Sequence, residues 1–467
     1  MTRTIWLDIT RLAERAALGR LTGIDRVELA YAQTLHDLVP DHLRFVMLHR
    51  WLPRFVEVPR HAALPFLQRV SCAWRNGRPG DNHPRDHHSG DNHSADNHPG
   101  DSRIAALRLL ARSAAALPPP AASVPPIYLL TSHRHLHRPA ALAGALRRSG
   151  AAFVPLVHDL IPLTHPEYAR PGEAGRHARR IETVATLADA VIVNSNATGQ
   201  VLAPYLPPAC PIHTAPLGVA TPPMTAPMPA FVSGPAEGGD RPYFLCVGTI
   251  EPRKNHLLLL HLWRRLAERL GGQAPRLVIV GARGWENENV LDLLDRCTAL
   301  RGHVAECGTV PDRQLAALMR GARALLMPSF AEGFGLPVAE ALALGTPVIC
   351  SDLPALRETG GVVPEYLAPL DAPAWEAAIV DYATDNAPRR AAQHARMPAW
   401  RAASWSEHLN GVLGFLEHAV DQSGAARHRP SHASAPSLPT ALDSGGPPNR
   451  RSGWTRPEAA APNPGWA

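Results

Sequence analysis

PSFAEGFGLPVAEALALGTPVICSD, residues 328–352, runs from a loop into a short helix and on to an apolar strand, with a glutamate on either side of a Gly-Phe-Gly turn. Pro337 suits the first helical position and Gly345 suits a helix stop, so PVAEALAL reads as a helix entered through EGFGL. The amides that open such a helix have no partner within it. Glycines let the backbone approach a ligand closely, so the loop is a ready phosphate site. Glu332 and Glu340 are then free to accept hydrogen bonds from hydroxyls on both sides of a diphosphate. The local pattern also admits a plainer reading, in which Glu340 complements the helix dipole and Glu332 is a solvated loop residue.

Outward from this unit, residues 242–352 alternate strand-like and helix-like runs: YFLCVGTI, NHLLLLHLWRRLAERL, RLVIVG, NENVLDLLDRCTAL, HVAECG, PDRQLAALMRGA, ALLMPS, PVAEALAL and TPVIC. This is the pattern of a parallel sheet with crossover helices on both faces. The first half repeats it less regularly. TIWLDIT, LRFVMLH, PPIYLLTS, FVPLVHD, AVIVNSN and IHTAPLGV read as strands, and GIDRVELAYAQTLHDL and PAALAGALRRSG as helices. The predicted organisation is an α/β domain over 1–220, a Pro/Gly-rich linker over 221–240, a second α/β domain over 241–400 and a final helix over 401–421. Residues 79–102, with repeated Asp-Asn-His, and the tail 422–467 are expected to be disordered, because neither has the apolar side chains to offset the entropy of folding. The histidines of the insertion lack a spacing that would fix a metal geometry.

The second informative stretch is VGTIEPRKNH, residues 247–256, where a strand ends and Arg253 and Lys254 precede a helix. Ligands of open α/β sheets bind beyond the carboxyl ends of the strands, so these cations share a rim with EGFGL. Their position opposes the helix dipole, which favours a ligand-binding reading over a merely basic helix entry.

Composition narrows the classes. The chain has 467 residues, 45% of them hydrophobic, enough for two cores. The net charge of +6 suits phosphate-bearing ligands or an anionic membrane surface. No zinc-finger or aromatic-basic RNA-binding pattern occurs, so nucleic acid is not an expected partner. Six cysteines without CxxC spacing suit free thiols in a reducing compartment, and Met1 leads straight into a strand-like run, so a cytoplasmic location is expected. A nicotinamide-dependent oxidoreductase is disfavoured, since VGARGW lacks the G-x-G-x-x-G fingerprint.

GTIEPRKNH together with PSFAEGFGLPVAEALALGTPVICSD resembles the donor-binding half of the family-4 retaining glycosyltransferases, whose signature is E-x7-E. GTVPDRQLAALMRGARALLMPS between them follows the same family pattern. LTGIDRVELAYA, VHDLIPLTHPEY, AVIVNSNAT and PLGV are weaker echoes, and SWSEHL resembles the start of the family's last helix. The resemblance implies the GT-B fold, two Rossmann-like domains facing across a cleft, with acceptor mainly on the first and nucleotide sugar on the second. It implies that Glu332 contacts the hydroxyls of the donor sugar and Glu340 the ribose, while the backbone around Gly333, Phe334, Gly335 and Leu336 holds the diphosphate with Arg253 and Lys254. His158 would approach the sugar and complete a catalytic set with Arg253, Lys254 and Glu332. Gly23, Arg26 and Asp159 would line the phosphate or acceptor side.

No DxD pair occurs anywhere in the chain, so the usual carboxylate clamp for a divalent metal is missing. Neither a metal nor another cofactor is expected. Arg253, Lys254 and the helix start would stabilise the leaving diphosphate instead. EPRKN in particular resembles bacterial mannosyltransferases of surface-polysaccharide assembly, which implies GDP-mannose as donor and a glycan or lipid-diphosphate-linked acceptor. Peripheral contact with the inner face of a membrane is part of the same expectation. The competing reading is a degenerate transferase-like protein that binds glycans or partners, which the joint presence of Arg253, Lys254, Glu332 and Glu340 disfavours.

Overall fold

The computed structural model describes residues 3–18, 22–76, 101–113, 124–220 and 241–426. The first sheet contains β1 (Ile5–Asp8), β2 (Leu43–Leu48), β3 (Phe55–Val58), β4 (Ile127–Leu130), β5 (Ala152–Val157), β6 (Val191–Val193) and β7 (Ile212–Thr214), in the order β3-β2-β1-β4-β5-β6-β7. All its pairings are parallel except β2 with β3. The second sheet contains β8 (Tyr243–Val247), β9 (Arg276–Val280), β10 (Val304–Glu306), β11 (Leu325–Met327), β12 (Val348–Ser351) and β13 (Glu365–Leu367), wholly parallel in the order β10-β9-β8-β11-β12-β13.

Alternation along each strand explains why its whole length is apolar. Ile5 and Leu7 enter one core cluster of the first sheet and Trp6 the other, and Phe244 and Cys246 lie on the opposite face of the second sheet from Tyr243 and Leu245. In the second sheet the strand order reverses between β8 and β11. The loops that follow these two strands are GTIEPRKN and PSFAEGFGL, so the reversal places both informative stretches at one crevice.

Some elements depart from the sequence-based expectation. The helix in EGFGLPVAEALAL spans Leu336–Ala343, so Pro337 takes its second position, and Gly335 caps it at φ 93°. Helices Arg60–Asn76 and Asp101–Ser113 flank the Asp-Asn-His segment, so Asp101 and Ser102 belong to a helix rather than to an insertion. Residues 77–100, the linker 221–240 and the tail from 427 lie outside the described residues. The final helix, Trp405–Ala426, continues past the expected end at 421. It returns to the first domain: Leu409, Val412 and Leu416 join the core of the first sheet, and His408 bonds Tyr31 (2.7 Å) and the Pro216 carbonyl (2.8 Å). Gly218 is required there, because a Cβ would meet the Trp405 amide nitrogen at 2.5 Å. Among the described residues no helix is long and apolar enough to cross a membrane.

Candidate active site

The turn after β8 carries two cations into the crevice. A short 3-10 turn, Pro252–Lys254, ends at Asn255 in the left-handed region (φ 54°), and helix His256–Leu270 starts from it. Lys254 Nζ donates to Glu332 Oε1 at 2.6 Å, and Arg253 lies 2.8 Å from the same oxygen. Burial raises the pKa of the Glu332 carboxyl, but Arg253 and Lys254 outweigh it and hold the group at about 2. The solvated-loop reading of Glu332 is therefore replaced by a buried, doubly paired carboxylate, only 9% exposed.

Arg253 also braces the loop that carries Glu332. Its guanidinium donates to Glu251 (2.7 Å) and to the Ala331 carbonyl (2.7 Å), and its own carbonyl accepts from the Phe330 amide (2.9 Å). Burial lowers its pKa, yet the carboxylates of Glu332, Glu251 and Asp159 raise it overall. Among the described residues the Lys254 side chain donates to Glu332 through its ammonium group, which has two further protons for an anion. Within this pair Lys254 is the freer donor and Arg253 the scaffold.

Glycines set the loop path. A Cβ on Gly333 would meet the His158 carbonyl at 2.3 Å, and one on Gly335 would meet Leu356 at 2.4 Å. Gly333 thus lets the EGFGL loop touch the end of β5 in the other domain. Phe334 is buried in the core cluster that also holds Leu217, and Leu336 packs against its edge. The amides of Gly335 and Leu336 precede the first helical hydrogen bonds and so open the helix towards a ligand.

Across the cleft, His158 is buried and its Nε2 contacts the Thr131 carbonyl at 2.8 Å, an arrangement that requires Nε2–H and leaves Nδ1 as the acceptor. Burial lowers its pKa, against the opposing pull of the Thr131 carbonyl and Asp159. The neighbouring ring of His133, in edge contact with His158 (5.8 Å) and with His177 (5.3 Å), is pushed well down, first by burial. Asp159 accepts the Ile161 amide (3.1 Å) and lies against Gly333. Gly23 opens helix Gly23–Leu38, and a Cβ there would meet nothing within 4 Å. One turn on, Arg26 reaches over the cleft to Glu340 (3.3 Å) and to Asp312, with the Trp74 ring 5.2 Å from its guanidinium carbon. Burial and Asp312 raise the pKa of the Glu340 carboxyl, and Arg26 only partly offsets them.

Several site-bordering residues carry no assigned role in the sequence reading. Asn194, Ser195 and Thr198 contact His158 or Gly333, Glu251 and Asp312 are the second partners of Arg253 and Arg26, and Tyr168 stacks on Phe330 at 5.0 Å and 8°. Arg170 covers Trp285 at 4.6 Å nearby. Most lie in stretches already recognisable as family echoes, AVIVNSNAT, GTVPDRQ and VHDLIPLTHPEY, but nothing in those strings says which element each side chain meets.

The family model described as "Glycosyl transferases group 1" matches residues 231–361. O-antigen chain mannosyltransferase B of Escherichia coli is 37% identical over 163 residues, 35% of this chain and 42% of that protein, so the chain spans less than half of that relative. A D-inositol 3-phosphate glycosyltransferase of Frankia alni is 30% identical over 312 residues, 64% of this chain and 76% of that protein. The solved UDP-forming trehalose-phosphate synthase of Burkholderia xenovorans superposes with a TM-score of 0.52 at 15% identity, over 68% of this chain and 80% of the other, a likeness of fold.

Proposed function

Because the chain belongs to the group 1 glycosyl transferases and has their two-domain GT-B fold, we propose that it transfers a sugar from a nucleoside-diphosphate sugar to a glycan or lipid-linked acceptor. The observation that carries this reading is the convergence of Lys254, Arg253 and Glu332 at the start of helix Leu336–Ala343, the place where a strand-order reversal opens a ligand crevice. A diphosphate seated on the loop amides would take donors from Lys254. Negative charge develops on the leaving diphosphate as the sugar departs, and fixed cations and amides stabilise that charge without reorganising. Glu332 would move from pairing cations to accepting sugar hydroxyls, and Glu340 would accept from the ribose.

The donor is GDP-mannose and the process surface-polysaccharide assembly in this proposal, supported by the mannosyltransferase likeness. Transfer proceeds with retention and without a metal, since the paired cations stand where a carboxylate clamp would hold one. The acceptor is a lipid-diphosphate-linked oligosaccharide met at the inner face of the cell membrane, with the +6 charge assisting contact. A thermal-shift screen of sugar nucleotides tests the donor: a ligand at 100 times its dissociation constant stabilises by about 2.7 kcal/mol. No shift with any sugar nucleotide or nucleoside diphosphate refutes the reading. Loss of transfer in a chelator, restored by magnesium or manganese, refutes metal independence.

A further inference from the structure

Three successive residues of the donor-side loop are held from outside it. The Gly333 carbonyl accepts from Ser195 Oγ at 2.7 Å and from Thr198 Oγ1 at 3.2 Å, at the capped start of helix Asn196–Leu202, which follows β6 of the first domain. The Phe334 carbonyl accepts from Thr359 Oγ1 at 2.5 Å, and Gly335 lies against Leu356, both on helix Pro354–Gly360 of the second domain. That helix also sends a side chain back across the cleft. The Glu358 carboxylate accepts the Asn196 and Ala197 amides, each at 2.7 Å, at the same helix start as Ser195 and Thr198. Asn194, just before it, donates to the His158 carbonyl at 2.9 Å, and that carbonyl is the atom lying against Gly333. Asn194, Ser195 and Thr198 are 3%, 1% and 6% exposed, so water does not replace these bonds while the domains are together.

We propose that Asn194, Ser195 and the start of helix Asn196–Leu202, clamped by Glu358, form a positioning element that registers the two halves of the site: it sets where Glu332 and the sugar-facing end of the donor loop stand relative to His158. The inference rests on the transferase reading for its kinetic consequence. Its physical basis is a division of labour. Lys254, Arg253 and Glu332 all belong to the second domain, so their mutual bonds survive if the domains part, whereas the bonds to Gly333, Asn196 and Ala197 are all lost together. Donor binding then depends on the second domain, and transfer depends on the register between domains. A misplacement of about 1 Å at a reacting centre costs roughly 10²-fold in rate, so the clamp acts on turnover.

Glu358 is exposed, so Glu358→Ala removes the clamp without opening a core. In this variant kcat is expected to fall about tenfold with KM for the sugar nucleotide within about threefold and an unchanged melting temperature. Glu358→Gln, which keeps one acceptor oxygen, falls between, and Ser195→Ala repeats the kcat loss. An activity-independent measurement accompanies these: hydrogen exchange of the full chain followed by mass spectrometry. Glu358→Ala should speed exchange at residues 195–199 and, together with it, at 333–336, while 251–255 stays as in the wild type. Unchanged exchange at 333–336, an unchanged kcat, or a parallel loss of kcat, KM and melting temperature overturns the proposal. If the wild type turns over no sugar nucleotide, the transferase reading fails, and the exchange pattern still decides whether this element anchors the loop.

Discussion

Glu332 lies against Lys254 and Arg253, two cations of its own sheet, and its carboxyl is held down to about 2; Glu340 meets Arg26 from the other domain and an acidic neighbour, Asp312, and its carboxyl is raised. One glutamate is neutralised locally and stays ionised. The other depends on how the domains meet. The difference teaches that two identical side chains of one loop-and-helix unit can be held in opposite charge environments because one is built within a domain and the other between domains.

The largest expected effect tests the local environment. Lys254→Ala should lower turnover by roughly 10²-fold, the usual cost of one lost transition-state donor. Steady-state rates with the sugar nucleotide check this, and an unchanged rate removes Lys254 from the site. Glu332→Gln should lower turnover about tenfold, because the sugar loses a carboxylate acceptor and its positioning. The bare nucleoside diphosphate, by contrast, should bind at least as tightly as to the wild type, since Lys254 and Arg253 are less neutralised. Weaker diphosphate binding in calorimetry would break the comparison on its Glu332 side.

Glu340→Gln should weaken the sugar nucleotide and the bare diphosphate by similar factors, about 1–2 kcal/mol from one charge-assisted bond. Equal effects of both mutants on diphosphate binding would merge the two roles. The smallest effect concerns pH. The Glu332 pKa is depressed from its ordinary value of 4.5, so the stability it contributes is present above that value and lost as pH falls through about 2. Glu340 has the opposite sign: its contribution to stability is present below its ordinary value and lost as pH rises through its raised folded pKa. On the proposed assignment of Glu340 to the ribose, protonation removes the acceptor carboxylate, so diphosphate affinity should decline as pH falls towards that raised value. Arg26→Ala should move the decline to higher pH, because Arg26 is what lowers the Glu340 pKa, and Glu340→Gln should abolish it. A decline that persists in Glu340→Gln assigns it elsewhere.

How much of this was legible varies with distance along the chain. The second sheet could be read almost strand by strand, because its four central strands are buried on both faces and alternate regularly with helices. The candidate-site residues of the second domain lie in two short stretches, and local rules describe them: a helix start with free amides, cations at a strand end, glycines at a close approach. Antiparallel β3 and the helices beside residues 77–100 were not legible, since short amphipathic segments next to a polar repeat carry weak periodicity. Nor was the return of the last helix to the first-sheet core, since an apolar stripe does not name the surface it will cover.

By itself the sequence determined the α/β class, the two-sheet plan, the position of most strands along the chain and the grouping of Arg253 and Lys254 on one rim with the loop of Glu332, because each follows from the periodicity or end chemistry of a contiguous segment. Only the tertiary structure decided that Glu332 is doubly paired and ionised, that Arg26 reaches Glu340 across the cleft, and that Ser195, Thr198 and Glu358 tie the EGFGL loop and its neighbouring helix to the first domain. The physical reason is that charge state and register depend on partners from distant parts of the chain. Those partners meet through packing and close backbone approach at Gly333, which no local pattern encodes.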